Sequence, residues 1–181
     1  MNEECKGSIL ITGAARRIGA ELARALARDG WYICVHHNTS GADAEALLAE
    51  IVGAGGAGKL VNADLSHAEA AAPLIAAAES DAPPLFGLIN NASLFEYDDI
   101  NSLTADALDR HHAVNLRAPM MLSKAFHEAM VDEREGCVIN MLDNKVFAVN
   151  PDYLSYTVSK FSLHGATQAM AMALAPKVRV N

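Results

Sequence analysis

Short apolar runs alternate with longer helical patterns along all 181 residues of the chain. Strands are predicted at residues 8–12, 32–36, 60–62, 86–90, 137–141 and 178–180, and helices at 18–28, 42–52, 67–79, 103–131 and 153–175. The segment 103–131 is expected to break near Pro119, with a shorter helix before a long one. The strands are apolar throughout rather than alternating, which is typical of parallel strands buried on both faces. The pattern predicts one α/β domain, residues 1–181, built on a doubly wound parallel sheet.

The composition excludes several classes of protein. Just over half of the residues (51%) are hydrophobic and 20% are charged, so the chain is not a disordered polyelectrolyte. A formal net charge of −8 argues against a nucleic acid or an anionic membrane as partner, because either would repel it. No apolar run approaches the ~18–20 residues of a membrane span. Cys5, Cys34 and Cys137 are widely spaced without a CxxC pair, which predicts a reducing, cytoplasmic setting and no metal framework.

The first predicted strand leads into a glycine-containing turn, TGAARRIG at residues 12–19. Ligands of open α/β sheets bind beyond the carboxyl ends of the strands. Gly13 permits a tight turn there, and Gly19 lets the next helix pack closely on the strand. The unpaired amides at the start of that helix would then bind a pyrophosphate. Such a turn can also serve packing alone, but its place at the first βα junction favours nucleotide binding.

The end of the second strand indicates which nucleotide is bound. NAD-binding sheets usually carry an acid there for the ribose 2′-hydroxyl, whereas this strand ends in HHNTS at residues 36–40. Arg16 and Arg17 lie in the neighbouring turn. A missing acid with nearby cations and hydroxyls favours a 2′-phosphate, and hence NADPH over NADH. The alternative is two surface arginines and a polar turn.

Two other patterns are excluded as sites. Residues 53–59 have the GxxxxGK spacing of a phosphate-binding loop. However, Leu60 stands where Ser or Thr would ligate Mg²⁺, and the segment follows a helix instead of a strand. It is interpreted as a helix-to-strand turn. The adjacent histidines at 36–37 and 111–112 diverge on a strand or a helix, so no metal site is expected from either pair.

Tyr156 and Lys160 form the second group that predicts chemistry. Residues four apart on a helix share a face, so the lysine is expected beside the tyrosine. A nearby ammonium favours phenolate and would lower the tyrosine pKa toward the range of an acid/base catalyst. Such pairs also occur on helices by chance, and this one gains weight only from the other motifs.

Together, TGxxxxIG, Asp64-Leu65, the sequence NNA at 90–92, Asn115 and YxxxK resemble the short-chain dehydrogenase/reductase family, from about residue 7 to residue 181. The resemblance implies a Rossmann fold in which Asp64 holds the adenine amino group and Asn90 and Asn91 fix the sheet beside the cofactor. It also implies that Asn115 anchors a proton-relay water, that Lys160 binds the nicotinamide ribose and that Tyr156 is the catalytic acid. The expected cofactor-binding residues are Gly13, Arg16, Arg17, Ile18, Gly19, His37, Asn38, Ser40, Asp64, Leu65, Asn91, Ala92, Ser93, Tyr156 and Lys160.

Two departures from the family pattern resemble its pteridine reductase branch. Arg17 replaces the middle glycine of the turn, and Asp143 stands where the family has a catalytic serine. The stretches NASLF at 91–95 and HHNTS at 36–40 are similar to the same branch. The resemblance implies that Phe95 stacks on a pterin opposite the nicotinamide and that Ser93 and Arg17 contact the cofactor phosphates and the pterin edge. It further implies that Asp143 delivers protons beside Tyr156.

The sequence therefore predicts an NADPH-dependent reductase of a pterin or dihydrofolate-like substrate. The predicted catalytic residues are Asp143, Tyr156, Lys160 and Asn115, and the predicted substrate-binding residues are Arg17, Ser93, Phe95, Asp143 and Tyr156. A carbonyl or alcohol oxidoreductase acting on another small substrate is the enzymatic alternative. The resemblance also implies a homo-oligomer, a dimer or a tetramer, formed through the helices at 103–131 and 153–175.

A third hypothesis is a non-catalytic, NADPH-binding fragment. The chain ends at its sixth predicted strand, roughly 60–70 residues before a domain of this family would end, so the resemblance implies that a C-terminal part is missing.

Overall fold

A computed structural model describes residues 5–131 and 134–181. Its parallel strands are β1 (Ser8–Ile11), β2 (Tyr32–His37), β3 (Ala57–Asn62), β4 (Leu85–Asn90), β5 (Gly136–Asn140) and β6 (Val178–Val180). They form a single sheet in the order β3-β2-β1-β4-β5-β6. The strand order thus reverses between β1 and β4, the point where open α/β sheets bind ligands. The predicted doubly wound α/β fold is confirmed.

Helices cover both faces of the sheet. The first face carries α1 (Arg17–Arg28) and α2 (Gly41–Gly53), and the second carries α3 (Ala71–Glu79), α4 (Ala105–His112), α5 (Ala118–Ala129) and α6 (Leu154–Leu174). Within β1, Ile9 and Ile11 join the core under α1 and α2, whereas Leu10 joins the core under α3 and α5. Because both sides of the strand are buried, its sequence is apolar at every one of these positions.

The helix predicted to break near Pro119 changes its geometry there instead. Residues Ala113–Arg117 form a π-helical turn that joins α4 to α5 without interruption of the helical rod. Proline has no amide hydrogen to donate to the carbonyl of Asn115 four residues earlier, and its ring would clash with that carbonyl in a regular α-helix. The wider π turn accommodates both effects, and such turns are frequent at functional sites.

Most predicted strands differ from the structure by one residue at one or both ends, and the largest difference is at the start of β3. The third strand was expected at residues 60–62 but begins at Ala57, so the segment interpreted as a turn is partly strand. Gly58 has no side chain and so obscures the β pattern in the sequence. In the sheet it pairs with Ile33, and a Cβ at this position would lie 2.5 Å from the Ile33 carbonyl oxygen. The order of elements, helix before strand, agrees with the rejection of a phosphate-binding loop.

Within residues 5–131 and 134–181, no helix is long and apolar enough to cross a membrane. In the same part of the chain, no group of three or more His, Cys, Asp or Glu side chains is arranged to hold a metal ion. Cys5, Cys34 and Cys137 are free thiols.

Candidate active site

The carboxyl ends of the strands border a cavity of about 660 Å³. It is lined by the turn after β1, the loops after β2, β3, β4 and β5, and two residues of α6. Every predicted site residue except Asn115 lies on its wall. The cavity also includes residues that the sequence reasoning did not name as site residues, among them His36, Leu94 and Met141.

The glycines of the turn after β1 let it pack tightly against itself and against the loop after β4. Gly13 has φ of +61°, and a Cβ on it would lie 2.9 Å from the Cα of Ala92. A Cβ on Gly19 would lie 2.6 Å from both the Gly13 oxygen and the Asn91 amide nitrogen. The α1 helix begins without a side-chain cap and without an acid in its first turn. Its first amides are therefore available to phosphate oxygens, and this geometry fits a pyrophosphate.

Arg17 keeps the conformation that a glycine would adopt. Its φ is +52°, in the left-handed region, although it is the first residue of α1. For a residue with a side chain, this conformation costs about 1–2 kcal/mol. The exposed Arg17 side chain lines the cavity. The strain is thus located where the sequence departs from the family pattern.

The two arginines of the turn are not equivalent. The Arg16 guanidinium lies 2.5 Å from the Asp43 carboxylate in the first turn of α2. Both side chains of this pair are exposed, so it does not prevent Arg16 from contacting a phosphate, and the predicted role of Arg16 at a 2′-phosphate stays a prediction. A hydrogen bond from β3 fixes the neighbouring loop after β2: the Asn62 side chain donates to the Asn38 carbonyl at 2.7 Å.

His36 joins two parts of the site, and the sequence reasoning missed it. Its Nδ1 accepts from the Gly13 amide at 3.0 Å, so Nε2 carries the hydrogen and donates to the Ala63 carbonyl at 3.2 Å. Burial lowers the pKa of His36 to about 4, and the imidazole stays neutral in this role. The signal in the sequence was a polar side chain in a strand buried on both faces, which needs internal partners.

Asp64, to which the resemblance assigns the adenine amino group, lies in the loop after β3. Its Oδ1 accepts from the Ser66 amide at 2.9 Å, and hydrogen bonds from Ser66 hold the pKa of the carboxyl below its usual value. The side chain is part of the cavity wall and presents an anionic acceptor there.

Two asparagines after β4 tie the centre of the sheet together. The Asn91 side chain donates to the carbonyls of Thr12 and Gly13 at 2.8 and 3.0 Å. The Asn90 side chain donates to Asn140 at 2.8 Å, and that residue donates to Thr167 of α6 at 2.9 Å. These contacts fix the turn and α6 on the same strand ends.

The reactive groups face each other at the end of β5. The Tyr156 hydroxyl donates to Asp143 Oδ2 at 2.7 Å, and Asp143 Oδ1 accepts from the Lys145 amide at 2.8 Å. Burial opposes ionisation of Asp143, but the hydrogen bonds from Lys145 and Tyr156 outweigh it, and the pKa of this carboxyl is lowered. Asp143 is thus an acceptor at neutral pH.

The expected effect of Lys160 on Tyr156 is wrong. The pKa of Tyr156 is raised, first by burial and then by the hydrogen bond to Asp143 and its negative charge. The Lys160 ammonium lies 5.7 Å from the centre of the tyrosine ring and donates to the Met141 carbonyl at 2.7 Å. Burial lowers the pKa of Lys160 to about 8. The i, i+4 spacing places both residues on one face of the helix. However, the Asp143 carboxylate accepts the hydroxyl hydrogen, and it affects the pKa of Tyr156 more than Lys160 does.

Asn115 lies behind the cavity wall rather than on it. Its side-chain oxygen accepts from the Leu94 amide at 2.7 Å and from Ser93 at 3.2 Å. Its amide nitrogen donates to the Leu94 carbonyl at 2.9 Å and to Ser159 at 3.0 Å. The side chain therefore positions the loop after β4, and the anchoring of a relay water stays a prediction.

An aromatic wall, defined as Phe95, Tyr97 and Tyr153, stands beside the reactive pair. The Phe95 ring stacks on Tyr153 at 4.2 Å between centroids and meets Tyr156 edge-on at 4.7 Å. Tyr97 packs edge-on against Tyr153 at 5.3 Å. The sequence reasoning found Phe95 but missed Tyr153, whose position three residues before Tyr156 was the available signal.

The site combines a glycine turn at the first βα junction with a Tyr/Lys pair at the same edge of a doubly wound sheet. This combination is typical of dinucleotide-dependent oxidoreductases. The family model described as short chain dehydrogenase matches residues 8–181. The chain belongs to this family of oxidoreductases.

Similar proteins include enzymes with different substrates. The structure resembles FolM alternative dihydrofolate reductase 1 from Brucella canis, crystallised with NADP, with 38% identity and a TM-score of 0.92 over 98% of this chain and 72% of that one. Pteridine reductase 1 of Leishmania tarentolae is 30% identical over 95% of this chain and 73% of its own length. Galactitol 2-dehydrogenase of Agrobacterium fabrum is 30% identical over 91% of this chain and 63% of its own length. The chain thus spans 63 to 73% of the length of these relatives.

Proposed function

We propose that the chain is an NADPH-dependent reductase of a pterin or a dihydrofolate-like substrate. The observation that carries the proposal is the hydrogen bond from Tyr156 to the Asp143 carboxylate within the nucleotide cavity. An ionised carboxylate accepts hydrogen bonds and cannot donate one to a substrate carbonyl. A site built this way suits the C=N bond of a pterin better than a ketone. Similarity to a dihydrofolate reductase and a pteridine reductase supports the same substrate class.

The residues of the cavity fit NADPH. The free amides at the start of α1 would take the pyrophosphate, and the exposed Arg16 and Arg17 would supply cations for the 2′-phosphate. Asp64 would accept from the adenine amino group, and Lys160 would donate to the nicotinamide ribose. When bound, NADPH supplies a hydride to the carbon of the substrate's C=N bond.

The matching proton comes from Tyr156. Its hydroxyl is protonated at neutral pH and would donate to the substrate nitrogen. The phenolate left behind would face the Asp143 carboxylate, which disfavours it, and the Lys160 ammonium would offset part of that repulsion. The same repulsion favours uptake of a proton from solvent, which restores Tyr156 for the next turnover.

Phe95 would hold the planar ring of the substrate. Half of this side chain is exposed, and Tyr153 covers one of its faces. A stacked pterin would use the opposite face, with Ser93 and Arg17 on the same wall of the cavity to bind its edge.

The test is turnover of NADPH, followed at 340 nm, with dihydrobiopterin or dihydrofolate as substrate. We expect oxidation that depends on the pterin, with Tyr156→Phe as the matched inactive control. Faster oxidation of NADPH with ketones, or reduction of NADP with sugar alcohols, would instead support the carbonyl or alcohol oxidoreductase, which similarity to galactitol 2-dehydrogenase favours. NADPH binding without turnover of any substrate would support the non-catalytic alternative.

We also propose that the chain forms a homo-oligomer through α5 and α6. Met120 and Met121 on α5 and Phe161 on α6 are large apolar side chains that are each about two-fifths exposed (40%, 39% and 42%). Burial of such side chains is a common driving force of association. Light scattering coupled to size exclusion should give a mass of two or four chains, and a mass of 19.2 kDa would contradict this part of the proposal.

A further inference from the structure

Asp98, in the loop between β4 and α4, is a buried acid that the proposed chemistry does not use. It is 3% exposed. Its Oδ1 accepts from the Ser155 amide at 3.0 Å, and its Oδ2 accepts from the Ser155 hydroxyl. Its backbone carbonyl accepts from the amides of Tyr153 and Leu154 at 2.7 and 3.3 Å. One residue of a distant loop thus satisfies three consecutive amides at the start of α6.

The α6 helix needs this external cap. Its N-cap residue, Tyr153, is in the left-handed conformation with φ of 59° and makes no side-chain capping hydrogen bond. The first amides of a helix have no partner within the helix and are normally satisfied by a short polar side chain at the N-cap. Asp98 takes over that role from outside the helix, and its negative charge also suits the positive end of the helix dipole. The reactive Tyr156 follows one residue after the capped Ser155.

The same loop carries the expected substrate platform. Phe95 lies three residues before Asp98 and contacts both Tyr153 and Tyr156 through its ring. Between them, the Glu96 amide donates to the buried imidazole of His111 at 3.3 Å. The loop and the first turn of α6 are therefore held together at one end by aromatic contacts and at the other by Asp98.

We propose that Asp98 is a positioning residue for the reaction: by capping α6 from the loop that carries Phe95, it sets the place of Tyr156 relative to the substrate ring. The inference rests on the proposed function in assigning the substrate side to Phe95. Asp98 contacts neither the cavity nor the reacting groups, so it acts through Ser155 and the helix start. Its loss should lower kcat while most of the affinity for NADPH is kept, because most of the expected cofactor contacts lie in the turn after β1 and in the loops after β2, β3 and β4.

Four variants test this role. Asp98→Ala removes both carboxylate contacts, and Ser155→Ala removes only the hydroxyl partner. Asp98→Asn keeps an acceptor for the Ser155 amide and can donate to the Ser155 oxygen, so it should rescue the cap. Asp152→Asn is the matched control. Asp152 is exposed, lies next to Tyr153 and does not contact the helix amides, and its substitution removes one negative charge, as Asp98→Ala does.

The variants are compared by steady-state kinetics with NADPH and dihydrobiopterin, by NADPH fluorescence titration, and by hydrogen exchange of peptides covering 92–99 and 153–160. For Asp98→Ala we expect kcat to fall about tenfold and exchange in both peptides to rise about tenfold, as loss of a cap predicts. The Kd for NADPH should change by less than about twofold. The kcat and exchange rates of Ser155→Ala should lie between those of Asp98→Ala and those of the wild type. Asp98→Asn and Asp152→Asn should match the wild type.

Wild-type kcat and exchange in Asp98→Ala would overturn the proposal, and so would an equal loss in Asp152→Asn. If Asp98→Ala does not fold, Ser155→Ala decides, and wild-type behaviour in that variant overturns it. If the wild type binds NADPH but reduces no pterin, the proposed function fails, and the exchange comparison between Asp98→Ala and Asp152→Asn then decides the positioning role alone.

Discussion

Replacement of Asp143 by serine should convert the preference of the site from pterins toward ketones. Serine can still cap the Lys145 amide that Asp143 now binds at 2.8 Å, so the local turn should persist. It removes the carboxylate that accepts from Tyr156 and offers a hydroxyl that can donate to a substrate oxygen. The change therefore alters proton transfer at Tyr156 and leaves the glycine turn that would bind the nucleotide phosphates unchanged.

The size of the effect follows from loss of the hydrogen bond that holds the Tyr156 hydroxyl in position for proton transfer. A hydrogen bond to a charged group contributes about 1.5–3 kcal/mol, which corresponds to roughly 10- to 150-fold in rate. We expect kcat for dihydrobiopterin to fall within that range and the rate with small ketones to rise above the wild-type rate. Removal of the negative charge should also lower the pKa of Tyr156 from its raised value.

The assay is NADPH oxidation at 340 nm with a dihydropterin and with a panel of ketones, alongside fluorescence titration of NADPH. Asp143→Asn is the matched control, because it keeps the size and an acceptor for Lys145 but provides neither the charge nor a hydroxyl. Full pterin activity in Asp143→Ser would refute the reasoning. A loss of NADPH binding would show that Asp143 maintains the fold of the cavity rather than the chemistry.

Three further predictions concern the groups around the reactive pair. Gly19→Ala should abolish NADPH binding measured by fluorescence, since its Cβ would lie 2.6 Å from the Gly13 oxygen; affinity within threefold of wild type would contradict this. His36→Leu should lower the free energy of unfolding in urea by about 1–3 kcal/mol and raise the KM for NADPH more than it changes kcat, because the Gly13 amide loses its acceptor. Burial lowers the pKa of Lys160 from 10.5 to about 8, so the unfolded chain binds more protons between these values and stability should rise with pH across that window. Urea unfolding of Lys160→Met should lack this part of the rise, and identical pH dependence in both proteins would rule it out.

The fold could be predicted from the sequence because each of its signals is local. Apolar runs of strand length mark strands buried on both faces, and the spacing of TGAARRIG places a glycine turn at the first βα junction. The start of β3 escaped prediction because Gly58 contributes no side chain to the pattern, although its backbone pairs with Ile33. A break near Pro119 was predicted, but the helix continues there through a π turn that the sequence did not predict.

The residues of the site were predicted better than their pKa values and their hydrogen-bond partners. All predicted residues except Asn115 line one cavity, because loops after parallel strands meet at one edge. The pKa of Tyr156 was predicted in the wrong direction, since spacing identified Lys160 as a neighbour but could not show that Asp143 accepts the hydroxyl hydrogen. Likewise, nothing local in the sequence shows that Asp43 pairs with Arg16, because these residues lie on different helices or turns.

The most direct test of the central claim is the ratio of kcat/KM for dihydrobiopterin or dihydrofolate to kcat/KM for the best ketone, measured with NADPH on the purified chain. An Asp143 carboxylate bonded to Tyr156 beside Phe95 predicts a ratio well above one that falls below one in Asp143→Ser. A wild-type ratio below one, from protein that binds NADPH, would contradict the assignment of a pterin-like substrate.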